Sequence, residues 1–144
     1  MSQLAANREE ALGEVPLFSD LSRRQLRRLA GKLRERQFDP GMTPVREGHM
    51  SGCCFFIVAS GEATVSREGR EIATLGPGAY FGELALISER ERTATVTAKT
   101  PLTCLDLPVW DFRELVKTDG ELSWKLLQHV VTQLLDEPSS GETD

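Results

Sequence analysis

Residues 76–98 of the chain, GPGAYFGELALISERERTATVTA, combine turn glycines, one acid, one arginine and a β-strand pattern. From Arg92 to Ala98, threonines alternate with small apolar residues, which predicts a strand of period two. The alternation places Arg92 on the same face as the apolar residues. Because burying an unpaired guanidinium is very costly, an arginine on an inward face requires an anion. Either Glu83 or a bound ligand has to supply it.

The residues ahead of this strand favour a short turn that can hold an anion. Gly82 permits backbone dihedrals or a close approach that a Cβ would block, and residues 84–87 can form one helical turn. The free N–H groups of such a turn attract anions. Glu83 lies at its start, where a carboxylate can accept a hydrogen bond from a ribose hydroxyl. An arginine beside it suits a phosphate, so the pair suggests a nucleotide.

Two short runs in this stretch carry a family resemblance. Residues 81–86, FGELAL, and residues 92–96, RTATV, closely resemble the phosphate-binding cassette of cyclic nucleotide-binding domains. We call residues 81–96 the cassette. Glu83 and Arg92 are nine positions apart, which is similar to the spacing in protein kinase A regulatory subunits. The resemblance, which extends to the sensor domain of catabolite activator proteins, covers about residues 15–135.

The rest of the chain predicts an α+β fold that is mainly β. Short strands alternate with turn residues, a pattern typical of a sandwich or barrel. The family resemblance implies an eight-stranded, jelly-roll-like β-roll flanked by N-terminal helices and two C-terminal helices. The predicted strands are residues 35–38, 43–46, 55–58, 63–66, 72–75, 93–99 and 102–107. The domain spans residues 1–135, with helices at about 2–14 and 22–33, the β-roll at about 34–107, helices at about 109–117 and 121–135, and a disordered tail at 136–144.

The second predicted helix carries a start signal and an unusual charge. Ser22 and Gln25 have the spacing of a capping box, and Leu21 and Leu26 form a hydrophobic staple around it. Seven basic residues between positions 23 and 36 contrast with the net charge of −5 of the whole chain. They are either a solvated helix face or a docking patch for an acidic partner.

The last predicted helix has more apolar surface than one packing face requires, since its apolar positions cover an arc of about 220°. We therefore expect two apolar neighbours. One is the β-roll, and the other is the nucleotide base, a partner subunit, or both. In the family this helix closes over the base and, in dimeric members, pairs with its twin. The candidate lid residues are Trp124, Leu127, Gln128 and Val131.

The resemblance also assigns roles within the cassette. It implies that Arg92 pairs with the cyclic phosphate, that Glu83 pairs with the ribose 2′-hydroxyl, and that the N–H groups of the next two residues complete the cradle. Thr93 can touch the phosphate or the base edge, but it does not decide between cyclic AMP and cyclic GMP. The candidate ligand-binding residues are Gly82, Glu83, Leu84, Ala85, Arg92, Thr93 and Ala94. The candidate pocket wall consists of Val65, Ile72, Leu75, Tyr80 and Phe81.

The leading interpretation is a stand-alone cyclic nucleotide-binding sensor module that prefers cyclic AMP to cyclic GMP. It is expected to signal through movement of its C-terminal helices, either to an unknown effector protein or within a homodimer formed by the last helix. The alternative is a degenerate domain that closes Arg92 on Glu83, binds no ligand and serves for dimerisation or docking.

The composition excludes several other classes. A net charge of −5 argues against nucleic acid as a partner, and no apolar run reaches membrane-spanning length. The N-terminus has no signal peptide pattern, so we expect a cytoplasmic protein. The family resemblance implies a bacterial one. Two isolated histidines, His49 and His129, cannot supply the metal ligands of a cupin-like enzyme. We expect no catalysis, cofactor or metal, and free thiols at Cys53, Cys54 and Cys104.

Overall fold

Two antiparallel sheets with helices against one of them form the fold in the computed structural model, which describes residues 7–48, 54–87 and 92–136. The strands are β1 (Arg34–Phe38), β2 (Cys54–Ser60), β3 (Ala63–Arg67), β4 (Arg70–Leu75), β5 (Tyr80–Phe81), β6 (Thr95–Ala98) and β7 (Leu102–Pro108). The first sheet has the order β1, β7, β2, β5, and the second has the order β4, β3, β6.

The α+β architecture with antiparallel sheets is confirmed, and the strands differ from the prediction in several places. The predicted strand at residues 43–46 is reduced to one bridge, between Val45 and Val96. Strand β6 begins two residues later than predicted, because its pairing with β3 starts at Thr95. The carbonyl oxygen of Thr93 accepts a hydrogen bond from the side chain of Arg67 and not from a backbone N–H group of β3. Strand β5 was not predicted. The described residues thus contain seven strands where eight were expected.

The helices lie close to their predicted places. They are α1 (Arg8–Gly13), α2 (Arg23–Ala30), α3 (Val109–Thr118) and α4 (Gly120–Asp136), with 3-10 helices at Pro16–Phe18 and Glu83–Leu86. The capping box is confirmed: the N–H of Gln25 donates to Ser22 Oγ, and the N–H of Ser22 donates to Gln25 Oε1. The predicted start of the first helix, residues 2–6, and almost all of the predicted disordered tail lie outside the described residues.

Strand β2 separates two apolar clusters. Phe55, Ile57 and Ala59 point towards the helices, into a cluster that includes Phe18 and Leu86. We call this the helix-side cluster. The alternate residues, Cys54, Phe56 and Val58, point towards the second sheet. Both faces are therefore covered, which explains why β2 reads as a continuous apolar run and not as an alternating one.

A buried carboxylate links β1 and β7, which are neighbours in the first sheet. Asp106 on β7 is fully buried and accepts hydrogen bonds from Arg34 and Arg36 on β1. Burial, and secondarily Asp106, raises the pKa of the Cys104 thiol to about 12, which fits the predicted free thiol. Cys54 is disulfide-bonded, so the prediction of a free thiol there is wrong. Spacing in the sequence did not indicate that bond, and Cys53 lies outside the described residues.

Asp106→Asn should destabilise the fold by about 2 kcal/mol, because two arginines lose a buried, charged acceptor. Urea unfolding measures this change. Glu35→Gln is the matched control, since Glu35 is exposed on the same strand as the two arginines, and it should change the free energy of unfolding by less than about 0.5 kcal/mol. Equal effects of the two substitutions would contradict the assigned role of Asp106.

Candidate functional site

The cassette runs from β5 through the 3-10 helix Glu83–Leu86 to the start of β6. Leu86 is 1% exposed and belongs to the helix-side cluster, and the 3-10 helix packs against α3. Leu84 and Ala85 lie in the same short helix. Residues 88–91, between this helix and Arg92, are outside the described part of the chain.

Arg92 is a half-buried cation with a neutral partner. Its Nη2 donates a hydrogen bond of 3.0 Å to the carbonyl oxygen of Cys54. Burial lowers the pKa of Arg92, and no carboxylate among the described residues forms an ion pair with it. A guanidinium has five N–H donors, so most of its hydrogen-bonding capacity remains for an anion. In particular, Glu83 and Arg92 do not form the ion pair that the degenerate alternative requires.

Gly82 makes room for this guanidinium. Its φ is +83°, in the left-handed region that favours glycine. A Cβ at this position would lie 2.6 Å from Arg92 Nη1 and 3.0 Å from the carbonyl oxygen of Cys54. The glycine predicted from the sequence is therefore required twice, by its backbone conformation and by the close approach of Arg92.

Glu83 is the second half-buried charged group of the cassette. Burial raises the pKa of its carboxyl group, and an electrostatic interaction with His129 on α4 partly opposes the rise. Burial, together with the charge of Glu83, also raises the pKa of Tyr80 on β5. Three elements thus bring titratable side chains to the same place. A carboxylate in these surroundings is a strong acceptor for a hydroxyl group.

The five residues of the predicted pocket wall do not lie on one common surface. Val65, Leu75 and Phe81 pack against the cluster between the sheets, where Phe81 stacks on Phe56 at 4.8 Å between ring centroids. Tyr80 packs in the helix-side cluster instead. It does so because adjacent residues of a strand point to opposite faces. Ile72 on β4 is 51% exposed.

The other candidate ligand residues lie at the edge of β6. Thr93 is exposed, and its carbonyl oxygen accepts a hydrogen bond of 3.0 Å from Arg67 Nε. Ala94 is partly buried next to it. Both residues precede the first paired residue of the strand, so neither is fixed by the hydrogen bonds of the sheet.

The candidate lid residues lie on the outer face of α4. Trp124, Leu127 and Val131 are 60%, 54% and 45% exposed, and Gln128 is exposed as well. The inner face carries Leu122 and Leu126, which are buried in the helix-side cluster. One of the two expected apolar neighbours of this helix is therefore present. Among the described residues, none covers the outer face.

His129 is a site residue that the sequence analysis did not select. It lies on the inner side of α4, and its Nε2 atom is buried without a hydrogen-bond partner among the described residues. A single histidine at helical spacing among apolar residues carries no motif. The one available signal is its position, three residues after Leu126 and next to Val130 on the buried stripe of the helix.

The basic region around α2 is partly neutralised by nearby acids. Arg27 forms an ion pair with Glu9 at 3.6 Å, and Arg28 forms one with Asp119 at 2.6 Å. An open groove of about 930 Å³ lies between α1 and α2, and all of its lining residues fall between positions 7 and 31, outside the cassette. Within the described residues, no group of acidic, histidine and cysteine side chains could hold a metal ion, and no helix could span a membrane.

Comparison with known proteins identifies the family. The cyclic nucleotide-binding domain family matches residues 35–119, more than half of the chain. The chain therefore belongs to the cyclic nucleotide-binding domain family. The N-terminal domain of a transcriptional regulator from Streptomyces coelicolor superposes with a TM-score of 0.80 at 30% identity, covering 90% of this chain and 96% of that one. A cyclic nucleotide-binding-like protein from Brucella abortus superposes with a TM-score of 0.70 at 30% identity, covering 77% and 98%.

Curated relatives include longer regulatory proteins. The chain is 42% identical to a cAMP-dependent protein kinase regulatory subunit of Yarrowia lipolytica over 107 residues. This aligned region covers 73% of this chain and 28% of the relative. It is 32% identical to a cGMP-dependent protein kinase of Eimeria tenella over 133 residues, and the aligned region covers 92% of this chain and 13% of the relative. The chain thus spans between about an eighth and a quarter of the length of these relatives.

Gly82→Ala should weaken anion binding in the cassette by about tenfold, since the new Cβ displaces the Arg92 guanidinium. Gly78→Ala is the matched control, because Gly78 has a similar φ of +94° but no atom within 4 Å of the position that a Cβ would take. Both substitutions impose the same kind of backbone strain, which thermal unfolding measures. Equal nucleotide affinities of the two variants in calorimetry would contradict the steric role of Gly82.

Glu83→Gln should raise the melting temperature at about pH 7.5 and leave it nearly unchanged at about pH 4. The folded-state pKa of Glu83 lies above its ordinary value of 4.5. The contribution of Glu83 to the stability of the fold is therefore complete below pH 4.5, and it is lost as the pH rises through the folded-state pKa. Scanning calorimetry at the two pH values tests this. The exposed Glu71→Gln serves as control, and a Glu83→Gln variant that is less stable than wild type at pH 7.5 would refute the prediction.

Proposed function

We propose that this chain is a regulatory module that binds cyclic AMP in preference to cyclic GMP in the cassette. Arg92 pairs with the cyclic phosphate, and Glu83 accepts a hydrogen bond from the ribose 2′-hydroxyl. The N–H groups of Leu84 and Ala85, in the 3-10 helix, complete the phosphate cradle, and Thr93 and Ala94 border it. Binding is the activity of the module, and catalysis is not.

The half-buried guanidinium of Arg92 carries this proposal. It donates to one neutral carbonyl group, and no described carboxylate neutralises it. A charge held in this way is expensive for the fold unless an anion binds to it. A cyclic phosphate supplies one negative charge and several acceptor oxygens, which suits the fork of an arginine.

The relatives favour cyclic AMP. Regulatory subunits named as cAMP-dependent, from Yarrowia lipolytica and Schizosaccharomyces pombe, are each 42% identical to this chain. Two kinases named as cGMP-dependent are 32% and 34% identical, although they match more of the chain. Thr93 leaves the preference open, because its exposed side chain can touch the phosphate or the base edge of either ligand.

Movement of the C-terminal helices is the output in this proposal. The 3-10 helix of the cassette packs against α3, and its Leu86 shares an apolar cluster with residues of α4. A ligand that repositions the 3-10 helix therefore favours a different placement of α3 and α4. The outer face of α4 carries exposed apolar side chains suited to an effector protein or to a second copy of the chain, namely Trp124, Leu127, Val131, Leu134 and Leu135.

A docking module without a ligand is the second candidate function. The exposed outer face of α4 favours it, since large apolar side chains on a helix commonly mark an interaction surface. A version of this module in which Arg92 closes on Glu83 lacks support, because the two side chains form no ion pair.

Calorimetric titration with cyclic AMP, cyclic GMP and AMP tests the proposal. We expect cyclic AMP to bind most tightly, and we expect Arg92→Gln and Glu83→Gln each to weaken it by at least about tenfold, since each removes one charge-assisted interaction. Arg70→Gln is the matched control for Arg92, because Arg70 is exposed on β4. It should bind as wild type does.

Two results would overturn parts of the proposal separately. Tighter binding of cyclic GMP than of cyclic AMP would reverse the ligand preference and leave the site intact. No binding of either cyclic nucleotide by the folded wild-type protein at millimolar concentration would leave the docking module as the remaining function.

A further inference from the structure

We propose that Arg67, the last residue of β3, is a positioning residue for nucleotide binding: it holds the backbone at Thr93 so that the neighbouring Arg92 faces the ligand. This inference rests on the proposed function of the cassette, and it adds a residue from outside the cassette to the site. Arg67 acts through the hydrogen bond that its Nε atom donates to the carbonyl oxygen of Thr93, and not through contact with the ligand.

The segment that leads into β6 lies outside the hydrogen bonds of the second sheet. The pairing of β6 with β3 begins at Thr95, opposite Ser66, and the isolated bridge to Val45 is one residue further along, at Val96. Residues 92–94 therefore depend on other contacts for their placement. An arginine binds an anion well when its position is fixed in advance, because ordering a loose segment on binding reduces affinity.

Two donors from outside the sheet hold consecutive carbonyl groups of this segment. The N–H of Gly48 donates to the carbonyl oxygen of Arg92 at 2.9 Å, and Arg67 Nε donates to the carbonyl oxygen of Thr93 at 3.0 Å. They fix the two peptide groups that follow the Cα atom of Arg92, and so they restrict the direction in which its side chain leaves the backbone. Of these two donors, Arg67 Nε belongs to a side chain, so it can be removed without a change in the main chain.

The turn between β3 and β4 places Arg67 beside the cassette. Arg67 and Arg70 lie opposite each other in the ladder, with two residues between them. Those two residues have positive φ values, +53° at Glu68 and +80° at Gly69, as expected for the type I′ turn of a tight hairpin. Glu68 is the one non-glycine residue with a positive φ among those that the structure describes, and a glutamate in this conformation is uncommon.

Glu47 connects this turn to the start of β6. Its Oε1 atom accepts the N–H of Glu68 at 2.9 Å, and its own N–H donates to Thr95 Oγ1 at 2.9 Å. The contact at Glu68 helps to maintain the uncommon backbone conformation of that residue. The hairpin turn and residues 47–48 thus form one hydrogen-bonded support for the segment that contains Arg92.

Three substitutions of Arg67 separate its hydrogen bond from its charge. The amide nitrogen of glutamine is as far along the side chain as the Nε atom of arginine, so Arg67→Gln keeps an N–H donor at this place and loses the charge. Lysine has a methylene group there, so Arg67→Lys keeps the charge and loses the donor. Arg67→Met loses both. If Arg67 acts through its Nε atom, Arg67→Gln is the variant that preserves its role.

Calorimetric titration of wild type and the three variants with cyclic AMP tests the proposal. Arg67→Met and Arg67→Lys should each weaken binding about threefold, the effect of losing one exposed hydrogen bond, and Arg67→Gln should bind about as tightly as wild type. Arg70→Met is the matched control, since Arg70 is exposed opposite Arg67 on the same hairpin, and it should change nothing. Equal affinities of Arg67→Gln and Arg67→Met would overturn the proposal, as would wild-type affinity of Arg67→Lys.

A double variant distinguishes positioning from a direct contact between Arg67 and the ligand. In the Arg92→Gln background, Arg67→Met should weaken the binding of cyclic AMP by much less than threefold, because the side chain that Arg67 positions is no longer an arginine. The full threefold loss in this background would mean that Arg67 acts independently of Arg92, and it would overturn the proposal.

Amide hydrogen exchange without nucleotide, followed by NMR, distinguishes failure of this inference from failure of the proposed function. The N–H groups of Glu47 and Gly48, which donate to Thr95 and Arg92, should exchange faster in Arg67→Met and Arg67→Lys than in wild type and Arg67→Gln. Equal exchange in all four proteins would overturn the positioning role, whether or not the chain binds a cyclic nucleotide. The expected exchange in a wild type that binds no cyclic nucleotide would support this role of Arg67 and overturn the proposed function.

Discussion

The hydrogen bond from Arg92 to the carbonyl of Cys54 is the interaction on which the site depends. It holds a cation at half burial beside Gly82, and it attaches the segment that leads into β6 to the first residue of β2. The backbone at Gly82 can pass this close only because a Cβ is missing. One charged side chain thereby links the cassette to β2 of the first sheet, and it is the group that we propose binds the anion.

The arrangement separates a buried charge that has ionic partners from the half-buried charges that we propose bind the ligand. Asp106, fully buried, is satisfied by two arginines from the adjacent strand. Arg92 and Glu83, half-buried, have pKa values that burial shifts towards the neutral form. A buried charge that has partners belongs to the framework, whereas one that lacks them is held ready for a ligand. The presence or absence of ionic partners thus distinguishes Asp106 from Arg92 and Glu83 without reference to the family.

Much of the fold followed from local chemistry in the sequence, and less of the site did. The capping box at Ser22 and Gln25 was predictable because both partners lie within one turn, and Gly82 and Arg92 were predictable because their spacing forms a motif. Tyr80 could not be assigned to a face without knowing that a two-residue strand begins there. His129 could not be selected because its electrostatic interaction with Glu83, 46 positions away in the sequence, arises only in the folded chain.

Gln25 connects the two groups of helices through one oxygen atom. Its Oε1 accepts the N–H of Ser22 at the start of α2 and also the ammonium group of Lys125 on α4. The nearby link between Arg28 and Asp119 is an ion pair of partly exposed side chains, and dissolved salt weakens such a pair. The contact at Gln25 joins a cation to a neutral amide in a largely buried position, so ionic strength affects it less. The attachment of α4 to α2 therefore has one salt-sensitive and one salt-tolerant component.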